Sequence, residues 1–259
     1  MKRRDFFATT ALGGSAVYLT GCEGLDYSAR SEGTGIQIIG AIVILARYKA
    51  SQSQQNVAQV RAAKAYVEVA VKPAYKKQEV ALKKKESTAQ ATAKKRVDTV
   101  RKSYEKKIAA VRNDPAKTQA VTAEREQVVA RETAEATKSV EEATKELREL
   151  GNTYAMVSQG VDFAVRRNDA SQAVNEFSRF RNSGLMVAAA GYAPSYLAVA
   201  VPRQNVPAEA KGAETLMVWD TKRQALASDD VLVVDRRPAT GAQAKLDGRS
   251  VTFAGEGNF

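Results

Sequence analysis

The sequence predicts an α+β protein: a long antiparallel helical hairpin of coiled-coil type, followed by a small antiparallel β domain. Three observations carry that expectation. Residues 89–150 are rich in Ala, Lys, Glu, Thr, Gln and Val, with no Gly and a single Pro, a composition of helix formers. Apolar and small residues recur there at steps of three and four: Val97, Val100, Tyr104, Ile108 and Val111, then Val129, Thr133, Ala136, Val140, Ala143, Leu147 and Leu150. Such spacing lays one narrow seam on each of two helices. Beyond Asn168 short aliphatic runs are broken by Pro and Gly, the pattern of strands and turns.

In chain order, the first element is MKRRDFFATTALGGSAVYLTGC, which ends on the only cysteine of the 259 residues. Basic residues lead into a Gly- and Thr-diluted apolar run that is shorter than the about 20 residues a spanning helix needs. This is the layout of an export signal. Arg3, Arg4, Phe6 and Phe7 stand in an Arg-Arg-Asp-Phe-Phe run that resembles the twin-arginine export motif. Leu19, Thr20, Gly21 and Cys22 resemble a bacterial lipobox. The resemblance implies a signal peptide over residues 1–21 and folding in the cytoplasm before export. Cys22 would be the acylated first residue of the mature chain, a palmitate-type anchor facing the periplasm. Glu23 follows Cys22; in enteric-type bacteria an Asp at that place favours inner-membrane retention, so its absence favours the outer membrane.

Composition excludes much chemistry. The chain has no His, and acylation of Cys22 would leave no free thiol. Ser-His-Asp and Cys-His catalysis, zinc sites of His or Cys, and Cys-ligated iron–sulfur clusters are therefore not available. No phosphate-cradling glycine loop or nucleophile elbow occurs in the sequence. No cofactor, catalytic residue or metal ligand is expected, and an enzyme is the minority reading. The net charge of +11 is local: residues 47–112 hold 18 basic and 5 acidic groups (+13), and residues 113–150 hold 6 and 9 (−3).

Residues 22–34 read as a lipidated tether, and 35–72 as an apolar segment with a first helix. Twelve residues from Gly35 to Ala46 make about 18 Å of helix, too short to span. They suit a helix or strand packed on the C-terminal region, or a segment that dips into the membrane or binds a partner. Ser51–Asn56 is a polar helical face or a linker. Val57, Val60, Lys64, Val67 and Val71 are spaced for a helix with a bend at Pro73, although Tyr66–Val71 also alternates like a strand.

Residues 73–167 form the hairpin, with its turn near 113–115. Asp114 suits an N-cap and Pro115 the first helical position, where the missing N–H costs nothing. The first arm should end near Arg112, and the second should run past Gly151 to Arg167 or Asn168. So short a connection makes antiparallel neighbours, and a basic arm folded on an acidic one sets opposite charges beside the seam. One long helix kinked at Pro115 is the alternative. The arms would reach about 50 Å.

The last domain, residues 168–259, should hold one helix (Asp169–Arg181, stopped by Gly184) and four or five strands. Four of these are Tyr196–Val201, Thr215–Trp219, Asp230–Val234 and Arg249–Phe253, forming a small sheet or open barrel. Asp229 and Asp230 suggest acid/base or Ca²⁺ chemistry. However, neighbouring strand residues point to opposite faces, so a turn is the simpler account. Trp219 is a core aromatic or a ligand platform. Lys83–Lys85 and Lys94–Arg96 are a solvated face matched to the acidic arm or a grip on anionic headgroups. No interleaved aromatics suit nucleic acid, and none is expected as a partner.

These readings describe a non-enzymatic cell-envelope lipoprotein. It would be held in the bilayer through Cys22 and would contact an envelope protein, or itself, through the hairpin. The layout resembles the periplasmic adaptors of efflux pumps, which implies a transport component as the alternative. A ligand binder or enzyme folded before export is another.

Overall fold

The computed structural model describes residues 44–204, 210, 212–235 and 240–255. The export motif, the lipobox, the tether and residues 35–43 lie outside them. The chain is mixed α+β and divides into two compact units, one combining the residues up to Pro73 with those from Ala155, the other Ala74–Tyr154. The helices are α1 (Gln52–Tyr66), α2 (Lys72–Ala110), α3 (Pro115–Arg167), α4 (Ala170–Phe180) and α5 (Gly184–Ala189). The strands are β1 (Ile44–Lys49), β2 (Tyr196–Ala200), β3 (Glu214–Asp220), β4 (Ala225–Leu226), β5 (Asp230–Val234), β6 (Gln243–Leu246) and β7 (Arg249–Phe253).

Within the first unit the strands form one sheet in the order β1-β5-β3-β2-β7-β6, with β4 on β3. All pairs are antiparallel except β2 with β7. The sequence expectation of four or five antiparallel strands in residues 168–259 is corrected, among the described residues, to six (β2–β7), which β1 joins in one seven-stranded sheet with one parallel pair. The end of the apolar segment, starting at Ile44, is the edge strand β1, paired with β5 from Ile44↔Val234 to Lys49↔Asp230. Strands β2, β3 and β5 are buried on both faces, which is why they read as unbroken aliphatic runs. One face gathers Ala198, Leu216, Val218, Leu232, Val251 and Phe253 with side chains from both edge strands, as a curled sheet permits. The other carries Trp219 against Tyr66 of α1 and Phe177 of α4.

Polar Ser51–Asn56 is a helix start. Ser51 Oγ accepts from Gln54 N at 3.2 Å and Gln54 Oε1 accepts from Ser51 N at 3.0 Å, a reciprocal capping box. Gln54 is buried and its Nε2 donates to Pro202 O at 3.0 Å, so a polar residue closes the core with its bonding capacity used.

The helical reading of Val57–Val71 holds, and just before Pro73 a π-helical turn occupies Val67–Val71, where Lys72 N donates to Val67 O. Proline cannot donate a helical hydrogen bond, and a widened turn just before it absorbs that loss. Gly184 is not a stop but the first residue of α5, capped by Ser183 Oγ accepting from Met186 N at 3.3 Å. The chain does turn before it, between α4 and α5.

Helix α3 ends at Arg167, and Asn168 adopts φ 51°, as the left-handed exit of a helix requires. Two glycines inside α3 behave differently. At Gly151 an added Cβ would meet nothing within 4 Å, whereas at Gly160 it would lie 2.5 Å from Glu176 Cδ and 2.6 Å from Cγ. Gly151→Ala should therefore raise stability by about 0.5–1 kcal/mol. Gly160→Ala should lower it by about 1–3 kcal/mol through overpacking. Urea titrations of both variants check this, and equal shifts of the same sign would contradict it.

Candidate functional site

The Ala74–Tyr154 unit is built from two helices with little apolar mass. Its buried side chains are Ala74, Tyr104, Ala136, Ala143 and Leu150. Side-chain contacts spread along their length join the helices. The rings of Tyr75 and Tyr154 stack at 4.3 Å and 13°. Lys85 Nζ meets Glu146 at 2.7 Å, Thr144 Oγ1 donates to Glu86 Oε1 at 2.9 Å, and Tyr104 OH donates to Glu124 Oε1 at 2.7 Å. As the position on α2 advances through 75, 85, 86 and 104, that on α3 retreats through 154, 146, 144 and 124. The bond to Glu124 raises the Tyr104 hydroxyl above the usual tyrosine range, since the ionised form could no longer donate.

Between the helices, Asp114 caps α3. Its Oδ1 accepts from Lys117 N at 3.2 Å and its Oδ2 pairs with Lys117 Nζ at 3.0 Å. Lys117 holds the Asp114 carboxyl below the ordinary range. Thr118 Oγ1 donates back to Val111 O at 2.9 Å, which ties the turn to the first residues of α3. Asp114 and Pro115 occupy the cap and first-turn positions that their residue types predict.

The thin seam leaves space beside it. One groove of about 520 Å³ is lined by Ala93, Val97, Ala136 and Val140 with Lys94 and Glu141 at its margin. Another of about 270 Å³ also includes Ala93 and Ala136, with Ala89 and Ala143. Leu or Ile at these positions would fill them; Ala and Thr do not.

In the first unit the two sheet edges meet at an ion pair. Arg47 Nη2 of β1 donates to both oxygens of Asp247, at 2.8 and 3.0 Å, in the turn between β6 and β7. A cavity of about 220 Å³ lies there, lined by Val218, Leu232, Leu246 and Val251 and rimmed by Arg47 and Asp230. Asp247 and Gly248 both have positive φ, 51° and 74°, as a two-residue hairpin turn demands. The Asp-Gly step was the available signal for β6.

Asp229 and Asp230 do share a partner, contrary to the expectation that they face apart. Asp229 precedes β5, so strand alternation does not govern it. Lys49 Nζ lies 2.6 Å from Asp229 and 3.3 Å from Asp230. Hydrogen bonding to these carboxylates raises the Lys49 ammonium, and Lys49 lowers Asp229. Held in this way, the two acids form an ion-pair cluster with Lys49 beside the β1–β5 pair.

Trp219 is fully buried, and its Nε1–H donates to Gln59 Oε1 at 3.1 Å, so it is a core aromatic with its polar atom satisfied. Of the two basic runs, Lys83 pairs with Glu79 on its own helix and Lys85 with Glu146. Among the described residues no group of three His, Cys, Asp or Glu is placed to hold a metal ion, and no helix is long and apolar enough to cross a membrane. Arg3, Arg4, Phe6, Phe7, Leu19, Thr20, Gly21 and Cys22 lie outside the described residues. No family model matches the chain, and it finds no match among curated proteins or solved structures.

Proposed function

We propose that the protein is a lipid-anchored cell-envelope module. In this reading α2 and α3 form an antiparallel hairpin of coiled-coil type that meets a protein partner or a second copy. The observation that carries it is the opposed register of the contacts between α2 and α3, centred on the Asp114-Pro115 turn. Arms of this kind extend about 55 Å at 1.5 Å per residue. A seam of Ala and Thr buries little apolar area, so an anchored hairpin has grooves left to fill. The N-terminal Arg-Arg and Leu-Thr-Gly-Cys motifs support the location, and the ion-paired carboxylates argue against acid/base catalysis in the β domain. A transport adaptor and a small-ligand binder remain as alternatives, the latter resting on the cavity behind Arg47 and Asp247.

A photo-crosslinking residue at Asn113, in the turn, should capture one discrete envelope protein, or a second copy of this chain, in living cells. The same residue at exposed Val187 of α5 should not. No adduct from Asn113, or the same smear from both sites, would overturn the reading.

A further inference from the structure

Part of the basic charge of α2 is not matched to α3. Four lysines of α2 (Lys84, Lys95, Lys102 and Lys106) are exposed, and none is paired with a carboxylate among the described residues. At about 100° per residue, all four fall within about 20° of Lys95 on the helix surface. Tyr104, the buried residue of the seam, falls opposite them. Asp98, the nearest acidic residue of α2, sits about 60° round from the stripe. So the lysines form a line about 33 Å long on the outward face of α2, and the acidic residues of α3 cannot neutralise it from the seam side.

We infer that this stripe is an electrostatic contact for an anionic lipid surface. Three features select that partner. The stripe is straight and long, which suits an extended plane of charge and not a compact anion. It is made only of lysine, a hydrated point charge on a flexible stem, whereas arginine forks are the residues that fix single phosphates or carboxylates bidentately. Between Lys84 and Lys106 the same face carries Thr88, Ala91 and Thr99, none of them a large apolar side chain to insert into a bilayer or an aromatic to stack on bases. Lysines near an anionic bilayer contribute about fivefold each to partitioning. The contact rests on the envelope reading only for where such a surface is met.

The test uses the full chain carrying Cys22→Ala, so that acylation plays no part, with vesicles of phosphatidylcholine alone or with a third phosphatidylglycerol. The protein should sediment with the anionic vesicles only, and lose binding as salt shortens the screening length. Changing the four lysines together to Gln should weaken partitioning by about several hundredfold. Changing Arg131, Lys138, Lys145 and Arg148 of α3 to Gln removes equal charge and should cost much less. Equal losses in the two variants, or binding that ignores lipid charge, would overturn the proposal. So would tighter binding to duplex DNA than to anionic vesicles at the same ionic strength, which would make the stripe a polyanion site of another class. An anchor that fails in cells leaves this vesicle result untouched, so the two readings fail separately.

Discussion

Replacing Cys22 with Ala should move the protein from the membrane to the soluble fraction. The expected effect is nearly complete because the anchor is an all-or-none chemical attachment. Each buried acyl methylene contributes about 0.8 kcal/mol, and one chain alone gives marginal, reversible binding. A lipobox cysteine would carry more than one chain, so its loss removes most of the membrane affinity and leaves only surface contacts such as the lysine stripe. Those contacts are screened at physiological salt, where the Debye length is about 8 Å. A high-salt wash should therefore strip the variant and leave the unaltered protein in place. Unchanged fractionation of Cys22→Ala after that wash would refute the anchor. The companion change, Arg3→Lys with Arg4→Lys, should stop export and leave uncut precursor in the cytoplasm; normal export would refute the twin-arginine assignment.

Trp219→Ala should cost the β-containing unit about 3–5 kcal/mol, the range for removing a large buried aromatic. The ring is fully buried, 5.8 Å from Tyr66 and 6.5 Å from Phe177, with Tyr66 and Phe177 themselves 5.3 Å apart. Its removal also takes the donor from Gln59 Oε1, leaving a buried acceptor that costs about 1–3 kcal/mol unless water reaches it. Domains are stable by about 5–15 kcal/mol, so this one substitution consumes much of the margin. Trp219→Phe keeps an aromatic ring in the cluster while losing the hydrogen bond and part of the buried volume, and should cost distinctly less. Urea unfolding followed by far-ultraviolet circular dichroism orders the three proteins. An unchanged midpoint for Trp219→Ala would mean that this cluster does not hold the core. Trp219 is the single tryptophan of the chain, so its fluorescence should be blue-shifted when folded and red-shifted in urea.

How much of this was legible in the sequence follows from where each signal resides. Capping and long periodicity are local, so Asp114, Pro115 and the end of α3 at Arg167 could be read directly. Strands β2, β3 and β5 could be read because both of their faces are apolar or nearly so, and β7 because Val251 and Phe253 alternate with polar residues after Gly248. Strand β6, Gln243–Leu246, is short and alternates exposed and buried residues, and its only signal is the Asp247-Gly248 turn. Strand β1 alternates likewise, with Arg47 and Lys49 on its exposed side, so its charges hid an edge strand behind an apolar lead-in. Gln54 and Gln59 are buried because partners 148 and 165 residues away complete their hydrogen bonds, and no local pattern encodes that. The lysine stripe was visible as a basic run, but its direction became clear only once Tyr104 fixed which side of α2 faces the seam.

The candidate site divides along the same line. Motifs at residues 3–22 are pure sequence signals that the described residues do not reach. The ion pairs of Arg47 with Asp247 and of Lys49 with Asp229 and Asp230 are products of the sheet order, which joins residues about 200 and 180 apart in the chain. No spacing rule would have found them.

Whether the protein is held by lipid at Cys22 is read directly by intact-mass spectrometry after detergent extraction from membranes. The expected chain begins at Cys22 and is heavier than residues 22–259 by an acylated glyceryl modification, with the excess confined to the N-terminal peptide. An unmodified mass for residues 1–259, or an unmodified Cys22 in that peptide, would contradict it.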